Sequence, residues 1–271
     1  MLMQTFDIER RHRVGPYYNV GAREEVVTHP FIYADAHAIH HMIDYRAFID
    51  ENSEPGYARF SSKLLPGTDD VRGVRVPKLK ALAKAVVKDG DWRSFLDDDM
   101  TCFEERLLHA FVIATAPMTA HERLALTERF LPYIDNWSVC DGFCQYWTIT
   151  PGSEKEVWDY FASQMDTGDP WRMRVSLVAR MIHYEDRGST LALIEDILSH
   201  DHGEYYYRMG AAWVFSFCFI RERDDALEAL ASNRMEVRTH NKSIQKIRES
   251  LRVTEEDKEL VAGLRRHVPR R

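Results

Sequence analysis

The feature that most constrains the fold of this chain is a repeat of 34 residues. One position of the repeat is aromatic in four successive units, at Phe103, Trp137, Trp171 and Tyr205. Three residues further on, four of five positions are basic, and these four are Arg106, Arg174, Arg208 and Lys242. A fixed period of this length is typical of helix–turn–helix units that stack into a solenoid. The W-LG-Y pattern of tetratricopeptide repeats is missing, so HEAT-like helix pairs fit better.

Apolar residues spaced i, i+3 and i+4 predict helices along nearly all of the chain after residue 57. Short segments with Pro or Gly separate these helices, and we find no strand pattern. The predicted helices span 57–64, 77–88, 104–116, 119–131, 136–147, 154–165, 170–184, 188–200, 204–220, 223–232, 238–251 and 254–267. Thr119, Ser153 and Ser189 are predicted to be helix N-caps. The predicted fold is therefore all-α, a right-handed solenoid of about six HEAT-like helix pairs.

Residues 1–41 differ from the rest of the chain. They contain five of the twelve histidines and show no sustained helical periodicity. The pairs Gly15-Pro16 and His29-Pro30 break any helix there. We predict a poorly ordered N-terminal extension over residues 1–41, with Met42 as an alternative start, and a single HEAT-like repeat domain over residues 42–271.

The composition excludes several classes of protein. No stretch approaches the ~20 apolar residues that span a membrane, and the charged N-terminus does not resemble a secretory signal. The four cysteines lack CxxC spacing, so we predict no metal site, no cofactor and a cytoplasmic protein with reduced thiols. Because the net charge is −7, any surface that binds DNA must be local.

One residue breaks the repeat. Four positions after each repeated aromatic residue come Leu107, Asp141, Val175 and Met209. Asp141 is the only carboxylate in this set, and its own helix offers no cation at i±3 or i±4. A buried carboxylate without a partner is costly, so Asp141 must pair with another helix or face a ligand.

Seven stretches in this order resemble the AlkD-like family of DNA alkylation repair proteins. They cover roughly residues 57–260 and are FSSKLLPG (60–67), GVRVPKLKALAK (73–84), FEERLLHAFVIA (103–114), NWSVCDGFC (136–144), WRMRVSLVARMIHY (171–184), YYYRMGAAWVFSFCF (205–219) and HNKSIQKIRESLRV (240–253). The order and spacing of all seven make the resemblance specific.

The resemblance implies a HEAT-like solenoid that holds duplex DNA in a basic groove. Active members release N3- or N7-alkylated purines by cleaving the glycosidic bond without flipping the base. Their active-site residues fall here on Trp137, Asp141, Arg174 and Trp213. In active members an Arg follows the last Trp by three residues, whereas this chain has Ser216. The resemblance also includes branches of the family without glycosylase activity.

The resemblance assigns Asp141 to stabilising the oxocarbenium-like sugar, Trp137 to packing on the deoxyribose and Arg174 to clamping a phosphate. Trp213 would form a platform for DNA. Further DNA-binding candidates are Arg106, Arg208, Lys242 and Lys246.

Structural alternatives remain for each of these residues. Asp141 could pair with an arginine of a neighbouring helix, and the basic positions could form salt bridges between repeats, for example with Glu104 or Glu105. Trp137 could have a structural role between helices, and Trp213 could fill the core. Lys242 and Lys246 could lie on a solvated helix face.

Three functions follow from these alternatives. The first is a glycosylase for cationic alkylpurines that needs neither metal nor nucleotide. The second is a noncatalytic relative that binds branched or distorted DNA, and the third is a solenoid scaffold for a protein partner. A DNA-binding role would place the protein in the cytoplasm, at the nucleoid.

Overall fold

The computed structural model describes residues 43–268, and these fold into an all-helical solenoid, as predicted. The helices are α1 (Tyr45–Glu51), α2 (Pro55–Leu64), α3 (Val76–Asp89), α4 (Trp92–Phe95), α5 (Phe103–Thr115), α6 (Ala120–Phe130), α7 (Trp137–Tyr146), α8 (Glu154–Ser163), α9 (Pro170–His183), α10 (Arg187–Ser199), α11 (Tyr205–Arg221), α12 (Arg223–Ala231), α13 (Val237–Glu249) and α14 (Glu255–Ala262). The extension predicted for residues 1–41 lies outside the described residues.

The helices from α3 onward form two layers. In the inner layer α3, α5, α7, α9, α11 and α13 each pack on the next one, so a residue and its repeat partner 34 positions later lie on neighbouring helices. In the outer layer α4, α6, α8, α10, α12 and α14 each follow their inner partner in the chain. This arrangement gives six helix pairs, which agrees with the number predicted from the repeat.

Burial explains why the inner helices form. Along α5, α9 and α11 most side chains are buried, and buried charged residues such as Glu104 and Arg174 have hydrogen-bond partners. The outer helices α6 and α8 bury one face only. Within residues 43–268, no helix is both long and apolar enough to cross a membrane.

A buried arginine satisfies carbonyl groups at the end of the inner helix α5. Arg123 of α6 donates to the carbonyl oxygens of Ile113 and Ala116, at the end of α5. Burial lowers the pKa of Arg123 to about 10. A cation at this end of a helix also interacts favourably with the helix dipole. Arg123 therefore connects α6 to the C-terminal end of α5.

Two of the three predicted N-caps, Thr119 and Ser153, are confirmed as the N-cap residues of their helices, and one of these two makes the capping hydrogen bond with its side chain. The Thr119 hydroxyl accepts a hydrogen bond from the amide of Glu122 at 3.1 Å, as predicted. Ser153 precedes α8, but its hydroxyl donates to the carbonyl of Thr150 and caps nothing. The prediction for Ser189 is wrong, because α10 begins earlier and the Asp186 carboxylate caps it. A carboxylate is the stronger acceptor for a helix N–H group, which explains this choice.

The buried His109 generates a prediction about stability. It packs on the ring of Phe95 with centroids 4.3 Å apart, and burial lowers its pKa. The unfolded chain therefore binds a proton at a higher pH than the folded chain, and the free energy of unfolding should fall as pH drops below about 6.5. The slope is at most about 1.4 kcal/mol per pH unit from this residue.

Urea unfolding between pH 7 and pH 5 measures this dependence. His109→Gln should have a smaller slope than the wild type, while the exposed His121→Gln should keep the full slope. Some slope should remain in His109→Gln because burial also lowers the pKa of His240. Equal slopes in the wild type and His109→Gln would contradict the assignment.

Candidate functional site

The site begins at the N-terminus of α7. The Asn136 side chain caps this helix by accepting hydrogen bonds from the amides of Ser138 and Val139, both at 3.0 Å. Trp137 is the first residue of the helix and is half-buried. Its indole nitrogen donates to the carbonyl oxygen of Leu64, at the end of α2, over 2.9 Å. This hydrogen bond fixes Trp137 at the start of α7.

Asp141 lies one turn further along α7 and pairs with Arg174 of α9. The Arg174 Nη2 donates to both carboxylate oxygens at 2.9 Å, and its Nε donates to Oδ1 at 3.2 Å. Arg174 is completely buried, whereas the Asp141 side chain keeps 9% of its surface exposed. Asp141 thus has an arginine partner on a neighbouring helix, one of the two alternatives expected from the sequence, and of the two side chains only that of Asp141 keeps any exposed surface.

Burial affects the two partners of this ion pair in opposite ways. It raises the pKa of the Asp141 carboxyl, and the attraction of Arg174 offsets this only in part. Burial also acts to lower the pKa of Arg174, but the charge of Asp141 outweighs this, so the Arg174 pKa lies above its ordinary value. A guanidinium that binds both oxygens of a carboxylate fixes its orientation as well as stabilising it.

Arg174 also connects the site to α11. Its Nη1 donates to the carbonyl oxygen of Tyr206 at 2.7 Å. Gly210 makes room for the guanidinium, because a Cβ at this position would lie 2.9 Å from Nη1 and 3.0 Å from Cγ of Arg174. Gly210 was not among the site residues predicted from the sequence. The signal for it was a glycine inside a long helix, where it costs about 1 kcal/mol relative to alanine.

Trp213 is the next predicted residue, one turn beyond Gly210 on α11. It is half-buried and packs edge-on against Phe217, with ring centroids 6.0 Å apart. The hydroxyl of Ser216 donates to the carbonyl of Trp213 at 2.6 Å, so the Ser216 side chain is bonded to the backbone of its own helix. The structure therefore places Trp137, Asp141, Arg174 and Trp213 on three consecutive inner helices.

The other arginines of the basic repeat position also meet carboxylates. Arg106 lies 3.4 Å from Asp135, just before α7, and Arg208 lies 3.7 Å from Glu236, the N-cap of α13. These are salt bridges between neighbouring repeats. A contribution of Arg106 and Arg208 to DNA binding stays a prediction.

Glu104 and Glu105, suggested as partners of these arginines, bind elsewhere. The buried Glu104 carboxylate accepts hydrogen bonds from the backbone amides of residues 72–74, so it anchors the loop before α3. Glu105 accepts from Thr101 and from Arg46 of α1. Both carboxylates hold the N-terminal part of the solenoid together.

The two predicted DNA-binding lysines lie on α13. Lys242 donates to the side-chain oxygen of Gln245 at 2.9 Å, and Lys246 pairs with Glu249 at 2.7 Å. The Lys246 side chain is largely buried. Of the two, Lys242 therefore has the charge that is less compensated.

The residues around the site offer no grouping that suits a metal. Within the described part of the chain, no cluster of three or more His, Cys, Asp or Glu side chains could hold an ion. Cys140 and Cys144 lie one turn apart on α7 and are fully buried, and burial raises the pKa of the Cys144 thiol. Three histidines of residues 1–41, His37, His40 and His41, are close enough in the sequence to be considered as metal ligands, and they lie outside the described residues.

Comparison with known proteins places this architecture in a family. A family model described as DNA alkylation repair enzyme matches residues 45–253. The match covers the helices from α1 to α13 and includes every predicted site residue. No curated protein matches the chain.

The close approach of Arg174 to Gly210 generates a prediction about stability. The added Cβ of Gly210→Ala should destabilise the protein by about 1–3 kcal/mol through overpacking. Alanine is more favourable than glycine within a helix by roughly 1 kcal/mol, so the net destabilisation should be smaller by this amount. The guanidinium cannot swing away at low cost because Asp141 and the Tyr206 carbonyl hold it.

Urea unfolding followed by circular dichroism measures this effect. Gly56→Ala is the matched control, because Gly56 lies in α2 with nothing within 4 Å of an added Cβ. This control should be neutral or slightly stabilising. A Gly210→Ala variant as stable as Gly56→Ala would show that Arg174 can move freely.

Proposed function

Because this chain belongs to the DNA alkylation repair enzyme family, we propose that it is a DNA N-glycosylase that releases cationic N3- or N7-alkylpurines from duplex DNA. Family membership supports a role in DNA alkylation repair. The observation that carries the specific proposal is the Asp141–Arg174 pair, in which the arginine is completely buried and the aspartate side chain keeps a small exposed area. A cationic ligand at this surface would therefore meet the anion of the pair.

The proposed substrate needs little help to leave. An alkylated purine carries a formal positive charge and is a good leaving group, so the enzyme has to stabilise the oxocarbenium-like sugar that remains. A carboxylate at about 4 Å from such a cation contributes up to ~4 kcal/mol at an effective dielectric constant near 20. Asp141 would supply this carboxylate.

Rigidity favours this role for Asp141. Three hydrogen bonds from Arg174 hold the carboxylate in one orientation before any ligand binds, and such preorganisation avoids reorganisation during the reaction. Oδ2 accepts only one of these bonds, so it retains capacity to orient an attacking water. Arg174 is then a positioning residue, rather than the phosphate clamp that the resemblance suggested.

Two tryptophans would shape the surface around the carboxylate. Trp137 is half-buried and fixed by its hydrogen bond to Leu64, so it offers a rigid apolar surface to a deoxyribose. Trp213 is half-buried on α11 and would contact the DNA as a platform. We assign phosphate contacts to Lys242 and weaker ones to Arg106, Arg208 and Lys246, because carboxylates offset the charges of these three. The proposed chemistry requires neither metal nor cofactor.

One observation favours a second candidate function. Ser216 is buried and its hydroxyl is bonded to the Trp213 carbonyl, so α11 presents no cation to DNA at this point. A protein that binds branched or distorted DNA without excising a base would be consistent with this feature. The same assay separates the two functions.

Release of 7-methylguanine and 3-methyladenine from methylated duplex DNA tests the proposal. The wild type should release both bases, and Asp141→Asn should reduce the rate by about 100- to 1,000-fold, the effect of removing one electrostatic contact to a transition state. Removing this partner of a buried ion pair also destabilises the fold by about 3–5 kcal/mol. Circular dichroism at the assay temperature must therefore show a folded variant.

Asp196→Asn is the matched control for this experiment. Asp196 of the outer helix α10 pairs with the buried Arg180 at 2.7 Å, so its variant also removes the carboxylate partner of a buried arginine but should keep the wild-type rate. Absence of base release from folded wild-type protein would remove the glycosylase proposal. Binding to branched DNA by the same preparation would then support the noncatalytic function.

A further inference from the structure

The first inner helix carries a row of lysines that the proposed function has not used. Lys80, Lys84 and Lys88 follow each other at intervals of four residues on α3, so they lie along one side of the helix. The opposite side of α3 is apolar and buried. The only acidic residue of this helix is Asp89, at its last position. The lysine row of Lys80, Lys84 and Lys88 is therefore a local concentration of positive charge.

One contact connects this row to α7, the helix that carries Asp141. The Lys80 ammonium donates to the hydroxyl of Tyr146 and lies 4.2 Å from the centre of its ring. Tyr146 ends α7, five residues after Asp141, which corresponds to about 7.5 Å along the helix axis. Its ring packs edge-on against Phe111 of α5, with centroids 5.4 Å apart. Lys80 thus reaches from α3 to the helix that carries the carboxylate.

The charges of the lysine row are not compensated. Within residues 43–268, none of the three lysines has a carboxylate oxygen within 4.0 Å. Lys84 and Lys88 are exposed to solvent, and Lys80 is half-buried under its contact with Tyr146. By contrast, Arg106, Arg208 and Lys246 each have a carboxylate partner. Of these two groups of cations, the lysine row is the one available to an anionic ligand.

We propose that the lysine row of α3 binds the phosphate backbone of duplex DNA and that Tyr146 positions Lys80 for this contact. This inference rests on the proposed function, because it assumes that DNA lies against the Asp141 site. Successive lysines are about 6 Å apart along the helix axis. Each ammonium acts as a point charge for phosphate and releases condensed counterions when it binds. Uncompensated lysines are the chemistry that a protein of net charge −7 needs for local attraction to DNA.

The test measures how DNA affinity depends on salt. Binding of the full-length protein to an undamaged fluorescent duplex is followed by anisotropy from about 50 to 200 mM salt. Each lost phosphate contact lowers the slope of log K against log salt by about 0.9, so the triple variant Lys80→Gln, Lys84→Gln, Lys88→Gln should lose about 2.7. A slope equal to that of the wild type would overturn the proposal.

Two controls separate the lysine row from other effects. Lys155→Gln removes an exposed lysine of α8 that pairs with Asp159, and it should keep the wild-type slope. Tyr146→Phe removes the hydroxyl that holds Lys80 but no cation, so it should weaken binding about two- to tenfold with an unchanged slope. Unchanged affinity in Tyr146→Phe would overturn the positioning role of Tyr146.

The outcome for the wild type distinguishes this inference from the proposed function. If the wild type and the triple variant bind DNA with the same salt slope, the proposal about the lysine row is contradicted and the proposed function is not. A folded wild type that does not bind DNA at all contradicts both. Base release by the wild type together with a reduced slope in the triple variant supports both.

Discussion

The ion pair between Asp141 and Arg174 joins three inner helices of this solenoid. Arg174 of α9 holds the carboxylate of α7 with two of its nitrogens and the Tyr206 carbonyl of α11 with the third. Removing both charges from water costs several kcal/mol per ion, and only good geometry and complete hydrogen bonding offset this. The absence of a side chain at Gly210 is part of that geometry. Changes at any of these positions therefore affect the packing of α7, α9 and α11 together.

The same repeat position carries arginine elsewhere, yet only Arg174 is completely buried. Arg106 and Arg208 pair with residues that precede the next inner helix, where their side chains keep some contact with water. Arg174 has its carboxylate one turn inside α7 instead. Exposed ion pairs contribute about 0–1 kcal/mol to stability, whereas breaking a buried pair costs about 3–5 kcal/mol. Arginine at this repeat position therefore forms a weak pair near the surface in two repeats and a buried connection between helices in a third. This difference between repeats marks the centre of the candidate site.

Much of the fold was predictable from the sequence because the repeat specifies which helices are neighbours. All twelve predicted helices are present, with ends that differ by a few residues. The sequence analysis missed α1 and α4, which are short. Long-range contacts hold α1, such as Arg46 with Glu105, and periodicity within a short segment does not report these. Asp141 was identified because it breaks the repeat, whereas Gly210 was missed because its role appears only once the Arg174 side chain is placed.

The net charge of the chain is a poor guide to its affinity for DNA. Many of its carboxylates are already paired with arginines of the outer layer, as in the contacts of Arg187 with Glu222 and Asp225. Such pairs contribute little field at a distance of more than about 10 Å in ordinary salt. A phosphate backbone interacts with the net charge of the surface that it contacts, and the net charge of α3 is positive. An acidic protein can therefore keep a basic surface, provided that its carboxylates are paired elsewhere in the fold.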